Sequence, residues 1–190
     1  MKNFIPTLFW ITGLSGAGKT TIGELLTHKL RDRAHPVVFL DGDVLRDIYD
    51  NRFGHDRASR LEASFHYARL CRMLVAQNVH VVCATISLFH ETQNWNRQNI
   101  KNYMEILVDV PMSELIKRDS KAIYSRALSG DLCNIVGVDI TPELPKNSEI
   151  KITNENTVDE SVNFILEKYD TRIYLKEKNN ANNMELHEIS

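Results

Sequence analysis

A surplus of positive charge is missing from this 190-residue chain, whose formal net charge is −2 with 25% of its residues charged. That balance excludes the basic field that duplex nucleic acid requires, and no aromatic platform for a single strand is present. Cysteine is scarce as well. Cys71, Cys83 and Cys133 are odd in number and widely spaced, which argues against a structural zinc and fits a reducing compartment. Cys83 lies inside the apolar run Val79–Ala84 and reads as core. No apolar run approaches membrane length, and the opening Met1-Lys2-Asn3-Phe4-Ile5-Pro6 lacks the long apolar stretch of a signal peptide. A soluble cytoplasmic protein without a membrane or nucleic-acid partner is expected. The guanine-reading signature N-K-x-D and the switch signature D-x-x-G are also absent.

What the chain does carry is Gly13-Leu14-Ser15-Gly16-Ala17-Gly18-Lys19-Thr20, a full G-x-x-x-x-G-K-[ST] phosphate loop. The apolar run Leu8–Ile11 precedes it and the helix-like stretch from Thr21 follows, the strand–loop–helix context the motif needs. Glycines let successive backbone N–H groups point at one phosphate chain, and a helix dipole places its positive end beneath them. Lys19 can reach the β- and γ-phosphates, and the Thr20 hydroxyl can hold Mg²⁺. A glycine turn that merely caps a helix would need neither residue.

Short β-branched runs alternate with helical stretches, which predicts an α/β fold of the P-loop NTPase type: three layers, with a parallel sheet flanked by helices. Strands are expected near Leu8–Thr12, Val37–Leu40, Val79–Thr85, Met104–Val108 and Glu149–Thr153. Helices are expected near Lys19–Arg33, Val44–Asp50, Arg57–Gln77, Trp95–Asn102, Met112–Asp119 and Val158–Tyr169. Pro111 marks one helix start, and Thr157-Val158-Asp159-Glu160 is a capping box at another. Residues 1–175 read as a single P-loop domain with a lid loop over about 120–146, and 176–190 as a polar, frayed tail.

Asp41-Gly42-Asp43 leaves a strand at the carboxyl edge of the sheet, where ligands bind in open α/β folds. Two carboxylates beside bound phosphates suit a Mg²⁺ environment and a base for an attacking hydroxyl. Asp43 suits the second role, or it caps the following helix. Arg46, one turn on, points toward the same cleft.

These blocks, Gly13–Thr21 followed by Leu40-Asp41-Gly42-Asp43 and Arg46, resemble the adenylylsulfate kinases. So do Phe53-Gly54-His55-Asp56-Arg57, Ile86-Ser87-Leu88 and Arg118 through Tyr124, with looser matches at Ile135–Val138 and Glu143–Pro145. The resemblance spans about Leu8 to Ile152. It implies transfer of the ATP γ-phosphate to the ribose 3′-hydroxyl of a nucleotide, with Mg²⁺ as cofactor and a homodimer as the common assembly. Carried onto this chain, Gly13 to Thr21 and Arg118 hold ATP, and Lys19, Asp43 and Ser87 are the catalytic candidates. Asp41, Arg46, Phe53, Arg57, Arg60, Ile86, Ser87, Lys121 and Ile135 are the acceptor-side candidates.

The departures from the family pattern gather in the acceptor half. Its asparagine falls on Arg60, its next two arginines on Glu62 and Ala63, its proline on Leu88 and a further arginine on Gln93; Arg97 aligns with another. Its stacking phenylalanine falls on Ile135 and its tyrosine on Pro142. Two charge-assisted bonds lost without replacement weaken binding about a hundredfold to ten-thousandfold. The expectation is therefore a kept ATP half and a changed acceptor. The stretch Ile86 to Arg97 resembles the cytidine diphosphoramidate kinase branch of the family, in which His90 could meet the amidate. Adenylylsulfate is the alternative acceptor, and a non-catalytic ATP-binding module the alternative of another class.

Overall fold

The computed structural model describes residues 4–119, 122–153 and 155–187, with 180–187 described by backbone alone. The chain runs β1 (Leu8–Thr12), α1 (Lys19–Asp32), β2 (Val37–Asp41), α2 (Gly42–Ile48), α3 (Arg57–Ala76) and β3 (His80–Ala84). It continues through α4 (His90–Asn99), β4 (Tyr103–Asp109), α5 (Met112–Arg118), α6 (Ile123–Leu128), β5 (Ile150–Thr153) and α7 (Val158–His187). The strands form one parallel sheet in the order β2-β3-β1-β4-β5.

The β1 run is continuously apolar because the strand is covered on both faces. Phe9 and Ile11 pack into the core shared with Leu26, Leu30, Ile165 and Tyr169. Leu8 and Trp10 face the opposite way, among Tyr67, Ala68 and Cys71 of α3, with Cys83 beside them. All of these side chains are buried. Parallel strands sandwiched in this way end at one edge, and the loops after β1, β2 and β3 meet there. Among the described residues, no helix is long and apolar enough to cross a membrane.

Four elements differ from the sequence expectation, each for a physical reason. Helix α2 begins at Gly42 rather than Val44, because the Asp41 carboxylate caps it by accepting from the Asp43 N–H at 2.9 Å; the cap is not Asp43. Helix α4 begins at His90 rather than Trp95, because the Glu143 carboxylate accepts the His90 N–H at 2.8 Å from 53 residues away. The expected lid contains α6, whose first N–H groups, at Tyr124 and Ser125, bond the Asp119 carboxylate. Helix α7 runs on through the expected tail to His187. No Gly or Pro interrupts the chain after Pro145. The capping box is in place, with Thr157 and Glu160 exchanging side-chain to backbone bonds of 2.8 and 3.2 Å.

His80, at the start of β3, is fully buried. Its Nδ1 accepts the Thr7 N–H at 3.0 Å and its Nε2 meets the Tyr169 hydroxyl at 3.1 Å. Burial, aided by His35, pushes its pKa down from 6.5 to about 3. The unfolded chain therefore binds the extra proton first, and stability falls as pH drops below 6.5. Between pH 7 and pH 5 this one group removes at most about 2 kcal/mol. Urea unfolding should show that loss in the wild type and a flatter profile in His80→Asn; parallel profiles would contradict this role.

Candidate active site

The phosphate loop joins β1 to α1. Gly13 lies at φ +154, and a Cβ there would meet the Val108 carbonyl oxygen at 2.5 Å, so the loop seats directly on β4. Gly18 caps α1 at φ 100, and no side chain caps that helix start. The first N–H groups of α1 are thus presented to the cleft together with its dipole. Lys19 Nζ donates to the Leu14 carbonyl at 2.7 Å. The Tyr124 hydroxyl donates to the Ser15 carbonyl at 2.9 Å, bracing the loop from α6. Sequence reasoning left Tyr124 out of the site, although it ends a block that had been matched.

Thr20 Oγ1 donates to Asp41 Oδ2 at 2.8 Å. These two lie with Lys19, Thr21 and Asp43 along a cleft of about 450 Å³. Asp41 therefore stands on the phosphate side, although it had been grouped with the acceptor. A second cavity of about 150 Å³ opens behind the loop at Ala17, Gly18 and Thr21, and Arg118 lines it together with Asn156 and Ser161. Asn156 and Ser161 gave no signal in the sequence.

A third cavity, of about 80 Å³, adjoins the phosphate cleft and shares Gly42, Asp43, Thr85 and Ile86 with it. Arg46, Arg60, Ala63, Tyr67, Ser87 and Phe89 complete its wall. Arg46 Nη1 is held by the Phe53 carbonyl at 2.7 Å. Arg60 bonds the His55 carbonyl at 2.6 Å and the Asn134 carbonyl of the lid at 2.9 Å. Burial first, then the neighbouring Arg46, lowers the Arg60 pKa. The same two influences, with Arg60 added, lower that of His55. Ser87 is buried, its Oγ 3.0 Å from Thr85 Oγ1.

Other candidates lie elsewhere. The Phe53 ring packs against Tyr49 and His66 in the core. Ile135 packs on the core beside the loop, and its N–H bonds the Asp139 carboxylate. Arg57 is outside the cavity wall and pairs with Glu143 at 2.5 Å and Glu91 at 3.4 Å. Burial pushes the Glu143 carboxyl up, but Arg57 and the His90 N–H bring it below its ordinary range. Lys121 falls outside the described residues.

Two departures from the family pattern, Leu88 and Gln93, meet at the backbone of Glu143. The Leu88 carbonyl accepts the Glu143 N–H at 3.0 Å, and Gln93 Nε2 donates to the Glu143 carbonyl at 2.9 Å. His90 Nε2 meets the Leu144 carbonyl at 2.9 Å. Arg97 reaches the buried Glu105, which also accepts from the Tyr103 hydroxyl.

Comparison with known proteins assigns the family. The family model described as "Adenylylsulphate kinase" matches residues 5–153. A cytidine diphosphoramidate kinase of Campylobacter jejuni is 40% identical over 170 residues, covering 88% of this chain and 98% of that protein. An adenylyl-sulfate kinase of Gloeothece citriformis is 38% identical over 168 residues, covering 88% and 96%. The adenylylsulfate kinase of Mycobacterium tuberculosis, solved with AMPPNP and adenylylsulfate, superposes with a TM-score of 0.83 at 26% identity, covering 88% and 99%. These relatives are phosphotransferases with hydroxyl acceptors, and this chain is a kinase of the same kind. It belongs to the adenylylsulfate kinase family.

Proposed function

We propose that the chain transfers the γ-phosphate of ATP to the ribose 3′-hydroxyl of a nucleotide, with cytidine diphosphoramidate as the favoured acceptor. The observation that carries this reading is the position of Asp43 in the wall common to the phosphate cleft and the arginine-lined cavity. A donor phosphate on one side and an acceptor alcohol on the other meet at that carboxylate. Asp43 takes the proton of the hydroxyl as its oxygen bonds to the γ-phosphorus, and the bond to the departing ADP oxygen breaks.

Lys19 and the α1 N-terminus balance charge on the transferred group. The Thr20 hydroxyl and Asp41 carboxylate, already hydrogen-bonded to each other, are hard oxygen donors suited to Mg²⁺. When bound there with ATP, the ion would neutralise charge on the phosphates. Arg118, in the wall of the cavity behind the loop, would contact the ATP base. Ser87 lines the acceptor side, where a direct in-line transfer leaves it a contact residue.

The cytidine compound is supported by the Campylobacter jejuni relative, at 40% identity over 98% of that protein. A second reading, adenylylsulfate as acceptor, has support from the Gloeothece citriformis relative and from the ligands of the Mycobacterium tuberculosis structure. A coupled ADP-release assay separates them. The expected result is faster turnover with cytidine diphosphoramidate; preferential turnover of adenylylsulfate would reverse the assignment.

Asp43→Asn keeps the size of the side chain and removes the base. It should lower kcat about a hundredfold or more while leaving the KM for ATP within about threefold. A kcat close to wild type would remove Asp43 from this role.

A further inference from the structure

Helix α3 carries two arginines three residues apart, Arg57 and Arg60, and the structure uses them differently. Arg57 turns outward to Glu143 and Glu91. Arg60 turns inward, lining the acceptor cavity beside Arg46 and anchored by two carbonyls. The same inward stripe continues through Ala63 to Tyr67. Ala63 stands where the family pattern has an arginine, so a side chain that would crowd the cavity is reduced to a methyl group. The Tyr67 hydroxyl is buried, 4% exposed for the residue as a whole, and it has no hydrogen-bond partner. An orphaned buried hydroxyl costs about as much as a lost hydrogen bond, and a ligand group that reaches it removes that cost.

We propose that Arg60 and Tyr67 form the subsite that reads the anionic group of the acceptor nucleotide, and that Arg57 serves as a clamp for the lid instead. The proposal rests on the nucleotide 3′-kinase reading above. Arg60 supplies a guanidinium to a phosphoryl or sulfuryl oxygen, with Arg46 adjoining. Tyr67 supplies a neutral hydroxyl, its pKa raised further by burial, which donates to oxygen and can also accept from an amidate N–H. The outward pairing of Arg57 holds the segment from Glu143 against the start of α4.

The test is steady-state kinetics of the full chain with cytidine diphosphoramidate and adenylylsulfate in parallel, read on whichever the wild type turns over. Arg60→Gln should raise the acceptor KM about 10- to 100-fold, with part of the loss recovered in Arg60→Lys. Tyr67→Phe, which keeps the buried ring, should raise it about 3- to 10-fold. Arg57→Gln should change it less than about threefold, and the KM for ATP should stay within about threefold in all four variants. An acceptor KM unchanged in Arg60→Gln or Tyr67→Phe overturns the subsite. So does an Arg57→Gln effect as large as that of Arg60→Gln, or an equal rise in the KM for ATP. A wild type that turns over neither acceptor removes the proposed nucleotide 3′-kinase reading, and the subsite with it.

Discussion

A Cβ on Gly13 would come within 2.5 Å of the Val108 carbonyl oxygen, so the chain leaving β1 lies directly on β4. That contact sets the position of the phosphate loop relative to the sheet, because β1 and β4 are paired in register from Leu8↔Tyr103 to Thr12↔Leu107. Much of the site follows from it. The loop feeds α1 at Gly18 in a left-handed conformation, and the helix start faces the cleft. Thr20 then falls opposite Asp41 at the end of β2. Since β2 hands directly to α2, Asp43 stands two residues beyond, where cleft and acceptor cavity adjoin. The Tyr124 bond to Ser15 closes the arrangement from the far side.

Charge is distributed unevenly around this frame. Inside the acceptor cavity Arg46 and Arg60 lie close enough to depress the Arg60 pKa beyond the effect of burial. Two like charges in a partly buried wall are unfavourable on their own and become favourable around an anion. Outside, Arg57 is surrounded by carboxylates and its pKa is raised by them. The cavity arginine also bonds the Asn134 carbonyl, so the wall of this cavity is physically tied to the segment between α6 and β5.

How much of this was legible in the sequence depended on whether its cause is local. β1 was readable to the residue, because a strand buried on both faces leaves an uninterrupted apolar run between turns. The phosphate loop was readable because its geometry is a property of consecutive backbone units. The start of α4 was not readable, since its first N–H is held by the Glu143 carboxylate, reached from 53 residues away only after folding. Arg57 and Arg60 are equivalent on a helical wheel to within one turn. Which of them turns inward is decided by Glu143, 86 residues away. Tyr67 looked like any core aromatic on α3, because only the folded wall reveals that its hydroxyl lacks a partner.

Asp43 at the junction of the two cavities is the centre of this picture. Its most direct test is a crystal structure of the protein with Mg²⁺, a non-hydrolysable ATP analogue and the acceptor nucleotide. The ribose 3′-oxygen is expected within about 2.6–3.2 Å of the Asp43 carboxylate, in line with the terminal phosphate held by Lys19. An acceptor whose 3′-oxygen lies away from Asp43, or whose ribose occupies the cavity at Arg118, would contradict it.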